Sequence, residues 1–295
     1  MDLKQFIGQS TGPRRIEYTW RDVALYALAV GAEEDDLDLI FEKNMKTLPT
    51  FGSVPYWNAV NNYPQRPTPF PGAFMVRQAL ERELGKIVKG LHMEHTLLMH
   101  RPIDPIKGTL VFEDTITEIY DRGEGKGIIV ETKVPVYDEA GNLLCENISN
   151  TMFFECGGFG GPAPVKSTVE IPDRAPDFEK KDTLSKTANM LYRLTGDTNR
   201  VHADPEVAKE EGFPRPFMQG LCSLGYAGRM AIREIIPGGA DRVTKVSAQM
   251  RNICFPGATV VLRAWKQEDG KAVFQLINEE DGKPILDKGQ FEYRS

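Results

Sequence analysis

The chain of 295 residues is poor in the residues that build metal clusters and membrane spans, with only four cysteines, four histidines and no long apolar run. No segment approaches the length of about eighteen apolar residues that a transmembrane helix needs. The cysteines lie far apart with no Cys-x-x-Cys pair, which argues against a zinc cluster and indicates reduced thiols inside a cell. They are Cys145, Cys156, Cys222 and Cys254.

The charge balance argues against nucleic acid as the main partner. The net charge is −6, and proteins whose main partner is nucleic acid usually carry a basic face. An anionic small ligand is compatible with this charge, because it needs only a local basic patch. The hydrophobic fraction of 41% and the charged fraction of 26% are typical of a folded globular protein.

A linker is predicted at residues 157–183. Gly157–Pro164 is rich in glycine and proline, and a proline- and charge-rich stretch follows. The glycines do not predict a phosphate-binding loop, because no Gly-Lys-[Ser/Thr] sequence follows them. We therefore expect an N-terminal domain at 1–156 and a C-terminal domain at 184–295.

The two domains are predicted to be copies of one unit. Leu25-Tyr-Ala-Leu28 is similar to Leu191-Tyr-Arg-Leu194, and two further pairs of similar segments follow in the same order. Hydrophobic periodicity predicts one helix and four antiparallel strands in each half, which is an α+β fold. We expect each sheet to wrap around its own helix and the two sheets to pair side by side. The predicted helices are 72–84 and 219–236, and the predicted strands are 88–99, 108–120, 128–137, 143–154, 242–254, 258–266, 272–278 and 284–293.

The segment Leu191–Pro205 holds the strongest candidate for chemistry. Asp197, Asn199 and His202 lie within six residues, among residues that form turns and start helices. A carboxylate and an imidazole can transfer protons, and an amide can orient a water, which suits reversible addition of water to an activated double bond. Two other interpretations remain: Asp197 as a turn residue or helix cap and His202 as a packed core histidine, or a less favoured metal site.

A helix start downstream of this segment complements it. Gly220 falls in the first turn of the predicted apolar helix, where backbone N–H groups lack partners within the helix and the helix dipole favours negative charge. A thioester oxygen that gains negative charge during a reaction would be stabilised there. The proton-transfer loop and this helix start together predict an active site.

These residues carry a resemblance to a known family. Tyr192–His202 resembles the hydratase 2 motif of MaoC-like (R)-specific enoyl-CoA hydratases. The resemblance covers nearly the whole chain, which is similar to the hydratase domain of peroxisomal multifunctional enzyme type 2. It extends through Ala203–Pro205, Gly212-Phe213, Gly220–Gly225, Leu48–Gly52, Leu91–Glu94 and Gly157–Gly161.

The resemblance implies a double hot-dog fold and a function. The implied reaction is the reversible hydration of trans-2-enoyl-CoA to (3R)-3-hydroxyacyl-CoA in fatty acid β-oxidation, with no cofactor other than the CoA thioester substrate itself. Asp197 and His202 are implied as the catalytic pair, with Asn199 as a supporting polar group and Gly220 as the oxyanion donor. The first half has no counterpart to this triad, since Gly31, Glu33 and Asp36 stand at the equivalent positions, and it is expected to make room for the acyl chain.

The resemblance also implies substrate-binding residues. The ligand positions of the family fall on His92, Met93, Arg122, Gly220 and Met250. Arg200, where the family has a proline, is expected either to stiffen the loop differently or to add a phosphate contact. A packing role for His92 in a strand and a solvent-exposed hairpin position for Arg122 remain as alternatives.

Partners, compartment and rival functions follow from the same reasoning. We expect an intracellular homodimer with an acyl-CoA substrate, located in the peroxisomal matrix if the protein is eukaryotic and in the cytoplasm if it is bacterial. The N-terminus lacks the apolar core of a signal peptide, and the C-terminus is not a Ser-Lys-Leu peroxisomal address. The rival functions are a 3-hydroxyacyl carrier-protein dehydratase and a non-catalytic acyl-CoA-binding module.

Overall fold

One antiparallel sheet of eleven strands dominates the computed structural model, which describes residues 2–10, 12–54 and 71–295. Six helices complete the described part, together with short 3-10 turns. The strands are β1 (Arg14–Thr19), β2 (Gly90–Met99), β3 (Lys107–Phe112), β4 (Thr115–Asp121), β5 (Gly127–Asp138), β6 (Leu143–Phe154), β7 (Phe178–Thr183), β8 (Val243–Met250), β9 (Thr259–Lys266), β10 (Lys271–Asn278) and β11 (Pro284–Tyr293). The helices are α1 (Trp20–Ala29), α2 (Leu37–Ile40), α3 (Pro71–Leu84), α4 (Ala188–Leu194), α5 (Pro205–Glu210) and α6 (Gly220–Ile235).

The sheet joins the two halves of the chain at its centre. Its order is β1-β3-β5-β6-β2-β8-β11-β10-β9-β7, with β4 paired to the first part of β5. β2 pairs with β8 over five residues, from Glu94 opposite Gln249 to Leu98 opposite Lys245. The predicted side-by-side pairing of the two sheets is therefore present, and it buries an edge of each half that would otherwise be free to aggregate.

Helix α6 is the apolar helix that the sequence predicts. Every residue from Leu221 to Ile232 is buried, because strands β8, β9 and β11 of the sheet pack against this helix. Its observed bounds differ from the prediction by one residue at each end. Among the described residues, no helix is both long enough and apolar enough to cross a membrane.

Three predicted elements differ from the structure. The predicted strand 242–254 is shorter, because β8 ends at Met250 and residues 251–254 are irregular. The predicted strand 108–120 is two strands, because β3 pairs with β1 and the end of β5 whereas β4 pairs with the start of β5. The predicted linker 157–183 is irregular only to residue 177, and its last six residues form β7, an edge strand paired with β9. Edge strands often carry charged residues, which explains why the charged sequence of β7 resembles a linker.

A buried ion-pair cluster ties the first half to α6. Arg229 is only 1% exposed, and it donates to the carbonyl oxygen of Val30 at 2.8 Å and to the carboxylate of Asp182. Asp36 lies 4.0 Å from the same guanidinium and 3.3 Å from Arg233. The cluster therefore holds the loop after α1, strand β7 and helix α6 together.

Candidate active site

The Asp-Asn-His segment is a loop that follows α4 and is shaped by its own hydrogen bonds. Gly196 has a φ of 140°, which only glycine adopts readily, and it turns the chain out of the helix. The carboxylate of Asp197 accepts the backbone N–H of Asn199 at 3.2 Å. Asn199 Oδ1 accepts the backbone N–H of Val201 at 3.3 Å and so caps the 3-10 turn that ends at His202. Its Nδ2 donor is therefore the end of the amide that can serve a ligand.

His202 is held in one orientation and one tautomer. Its Nδ1 lies 3.0 Å from the carbonyl oxygen of Phe217, and its ring packs edge-on against the Phe217 ring at 4.8 Å between centroids. Since a carbonyl oxygen only accepts, Nδ1 carries the hydrogen, and Nε2 of the neutral ring is left as an acceptor. Neutral His202 therefore presents a proton acceptor beside Asp197.

Burial shifts the proton affinities of the two groups in opposite directions. Asp197 is 7% exposed and His202 is 9% exposed. Desolvation raises the pKa of Asp197 above its ordinary value, and the nearby imidazole partly opposes that rise. Desolvation lowers the pKa of His202, and the Asp197 carboxylate partly opposes that fall. Burial thus favours the neutral form of each group, and an ionised Asp197 beside a neutral His202 would provide two proton acceptors.

A cavity of about 770 Å³ opens onto this pair, which is a size suited to a large small-molecule ligand. Its lining combines apolar and charged residues from the two halves of the chain. The predicted site residues in its wall are Asp197, Asn199, Arg200, His202, Gly220, His92, Met93 and Met250.

The start of α6 also faces this cavity. Gln219 precedes the helix in an extended conformation, and its side chain makes no capping hydrogen bond to the first turn. Met250 packs so closely on Gly220 that a Cβ there would lie 3.2 Å from its Cγ. The first-turn N–H groups, Gly220 and Met250 are thus brought together as the sequence predicts for a site.

His92 and Met93 enter the cavity wall through an irregularity in β2. Pairing with β6 runs from His92 opposite Thr151 directly to Glu94 opposite Asn150, so Met93 is an extra residue in a β-bulge. His92 Nε2 donates to the carbonyl oxygen of Glu94 at 3.0 Å. Desolvation, with a contribution from His95, lowers the pKa of His92 to about 3. A neutral His92 therefore lines the cavity.

Behind His92 lies a polar network that the sequence did not reveal. The ring of His95 is 5.4 Å from that of His92, and His95 is 3% exposed. Its Nδ1 lies 2.8 Å from Ser149 Oγ, and its Nε2 lies 3.0 Å from Asn147 Oδ1. Ser53 Oγ donates to the same Asn147 oxygen at 2.7 Å. Partners this remote in sequence give no signal in a single chain.

The two arginines of the prediction have different surroundings. Arg200 is in the cavity wall, and its guanidinium pairs with Asp204 at 2.5 Å. Arg122 is exposed, lies outside the residues that line the cavity, and donates to Met152 Sδ at 3.2 Å. A role for Arg122 in binding stays a prediction.

Helix α3 supplies cavity residues that the sequence analysis missed. Phe74, Arg77 and Glu81 line the cavity, and Arg77 pairs with Glu81 at 2.9 Å. Their spacing of three and four residues places them on one helix face, which is the signal that would have identified them.

The equivalent loop of the first half is closed by packing and ion pairs. Gly31 has a φ of 86°, and a Cβ there would lie 2.4 Å from the Tyr226 ring. Asp36 is 6% exposed and accepts the backbone N–H of Glu33 at 2.9 Å, beside Arg229 and Arg233. These positions serve the contact between the halves, in agreement with the absence of a second triad.

Comparison with known proteins matches both halves of the chain. The family model described as MFE-2 hydratase 2 N-terminal domain matches residues 16–155, and that described as MaoC like domain matches residues 167–288. 3-Hydroxyacyl-thioester dehydratase Y of Mycobacterium tuberculosis is 33% identical, covering 97% of each chain. The peroxisomal enoyl-CoA hydratase 2 of Arabidopsis thaliana is 30% identical, covering 92% of this chain and 89% of that one.

The solved structures extend the match to the fold. The MaoC-like dehydratase from Phytophthora capsici superimposes with a TM-score of 0.84 at 29% identity, covering 100% of this chain and 99% of that one. This likeness confirms the predicted double hot-dog architecture.

Proposed function

The chain belongs to the MaoC-like hydratase 2 family, and from this premise we propose that it is a hydro-lyase that hydrates trans-2-enoyl-CoA reversibly to (3R)-3-hydroxyacyl-CoA. The observation that carries the proposal is the pairing of two buried proton acceptors, Asp197 and His202 Nε2, at the wall of a large cavity. We assign the reaction to fatty acid degradation of the β-oxidation type.

In the proposed mechanism one water is held between the catalytic pair. The Asp197 carboxylate and His202 Nε2 each accept one hydrogen of this water, which directs an oxygen lone pair at C3 of the enoyl group. As the water oxygen bonds to C3, one water proton passes to the pair and one proton passes from the pair to C2, so the pair ends in its initial protonation state. Asn199 Nδ2 orients the water or the thioester, because its Oδ1 is occupied by the cap of the 3-10 turn.

The start of α6 stabilises the charge that this addition creates. Addition at C3 moves negative charge onto the thioester oxygen, and the Gly220 N–H donates to that oxygen at the positive end of the helix. Met250 closes one side of this position, since it packs directly on Gly220.

The test is loss of the enoyl thioester absorbance with crotonyl-CoA and decenoyl-CoA. We expect turnover by the wild type and none above background for Asp197→Asn, which keeps the size of the side chain and removes its charge. Near-normal turnover by Asp197→Asn would overturn the assignment. Circular dichroism of the variant serves as the control for folding.

A second candidate is dehydration of a carrier-protein thioester in fatty acid or polyketide synthesis. The identity of 33% to a protein named 3-hydroxyacyl-thioester dehydratase Y supports the dehydration direction, and that name fits a thioester of either CoA or a carrier protein. The same acyl chain presented on CoA and on an acyl carrier protein separates the two. We expect a higher kcat/KM on the CoA thioester, and a preference for the carrier protein would replace our assignment with this second one.

A further inference from the structure

Two amide side chains that take no part in the reaction link helix α4, the loop that ends at His202 and the segment before α6. Asn189, on α4, donates from Nδ2 to the backbone carbonyl oxygen of His202 at 2.6 Å. Gln219, just before α6, donates from Nε2 to the backbone carbonyl oxygen of Asn189 at 3.0 Å. Asn189 is 6% exposed and Gln219 is 1% exposed, so water does not compete for either bond.

His202 is therefore tied twice to the segment that leads into α6. Its imidazole is fixed by the Phe217 carbonyl oxygen, and its backbone is fixed through Asn189 by the side chain of Gln219. Phe217 and Gln219 flank Met218 and immediately precede Gly220. Any movement of the loop against the helix start must break at least one of these buried bonds, and each costs free energy when left unmade.

The side chain of Gln219 binds the Asn189 carbonyl oxygen and does not cap helix α6. It stands at the N-cap position of α6, yet it makes no capping hydrogen bond to the first turn. Its Oε1 is buried with no hydrogen-bond partner among the described residues. The unpaired Oε1 atom costs free energy. Because the Gln219 side chain does not bind the helix N-terminus, the first-turn N–H groups remain available to the cavity.

We propose that Asn189 and Gln219 are positioning residues that fix His202 relative to the N–H of Gly220, so that the water-holding pair and the oxyanion donor keep one separation. This inference rests on the proposed function. Addition of water to C3 and stabilisation of the thioester oxygen occur at two points of one substrate, so their separation sets the reaction geometry. A displacement of about 1 Å in such an arrangement costs on the order of a hundredfold in rate.

The test uses Asn189→Leu and Gln219→Met in the full chain, each of which keeps the approximate size of the side chain and removes one donor. We expect kcat to fall by about tenfold to a hundredfold while KM stays within about threefold, because substrate contacts are retained. The double variant is expected to lose little more than the worse single variant, because the two residues act in series. Gln219→Met also removes the unpaired Oε1, so it tests the proposal if Asn189→Leu does not fold.

A matched control removes a buried hydrogen bond elsewhere. Ser247 is 4% exposed and donates to Gln290 Oε1 at 3.4 Å, and we expect Ser247→Ala to keep the wild-type kcat. If Asn189→Leu and Gln219→Met lower the melting temperature but leave kcat unchanged, the two amides are merely structural and the proposal is wrong.

A second readout does not depend on turnover. The chain has four histidines, so the titration of His202 can be followed by NMR in isotope-labelled protein. Release of His202 from its position should move its pKa back towards the ordinary range, and an unchanged titration in both variants would overturn the proposal. Failure of the proposed function is recognised separately, as absence of hydration by the wild type.

Discussion

Replacement of Gly220 by proline isolates the N–H on which the oxyanion assignment depends. Gly220 is the first residue of α6, the position where proline is favoured because its missing N–H has no partner within the helix. Proline also requires an extended residue before it, and Gln219 already has φ −62° and ψ 140°. Gly220→Pro should therefore change the free energy of unfolding by less than about 1 kcal/mol.

The effect on catalysis should be far larger than the effect on folding. Loss of one oxyanion donor costs about a hundredfold to a thousandfold in kcat, or roughly 3–4 kcal/mol of transition-state stabilisation. Gly220→Ala is the matched control, because it keeps the N–H and adds only a Cβ at 3.2 Å from the flexible Met250 side chain. That contact should cost on the order of 1 kcal/mol, because the Met250 side chain can shift.

The assay is steady-state hydration of crotonyl-CoA by the wild type, Gly220→Ala and Gly220→Pro, with urea unfolding of each protein. We expect a large loss of kcat for Gly220→Pro alone. A Gly220→Pro enzyme with kcat near that of Gly220→Ala would refute the oxyanion role. So would a defect confined to KM, since it would show that the proline ring only obstructs binding.

Three further predictions follow from buried charge. Because burial lowers the pKa of His202, the loss of kcat/KM that accompanies protonation of His202 should occur below its ordinary range, and a step assigned to His202 at or above about pH 6.5 would contradict a neutral His202. The pKa of Asp197 is higher in the folded state than in the unfolded chain. Ionisation of Asp197 therefore lowers the free energy of unfolding at pH values above the folded-state pKa. This cost disappears as the pH falls below the pKa of an aspartate in the unfolded chain. Asp197→Asn should accordingly be more stable than the wild type at neutral pH in thermal unfolding, with the difference closing below about pH 4. Arg229→Met leaves Asp36 and Asp182 without their buried partner, so it should lower the free energy of unfolding measured in urea by about 3–5 kcal/mol. A loss of less than about 1 kcal/mol would show that the cluster does not hold the two halves together.

The sequence predicts the elements whose burial is one-sided or complete. Helix α6 and the strands β5, β6, β10 and β11 are found within one residue of their predicted bounds, because an apolar helix or an alternating strand has a clear periodicity. Strand β7 was missed, because an edge strand with charged side chains lacks that periodicity. The break between β3 and β4 was missed because it depends on which part of β5 each strand pairs with.

The candidate site likewise has features that the sequence predicts and features that depend on the folded structure. Asp197, Asn199 and His202 were identified because turn residues and proton-transfer groups are concentrated in one short segment. The hydrogen bond from His202 Nδ1 to the Phe217 carbonyl oxygen, which sets the tautomer, joins residues whose separation follows only from the folded loop. The network of His95 and the amide of Gln219 depend likewise on tertiary contacts, and no local pattern marks them.

The configuration of the product tests the central claim most directly. Purified protein is incubated with trans-2-decenoyl-CoA, and the 3-hydroxyacyl product is resolved by chiral chromatography for the wild type and Asp197→Asn. We predict (3R)-3-hydroxydecanoyl-CoA from the wild type and no product above background from the variant. A (3S) product, or a (3R) product formed equally well by Asp197→Asn, would contradict the account.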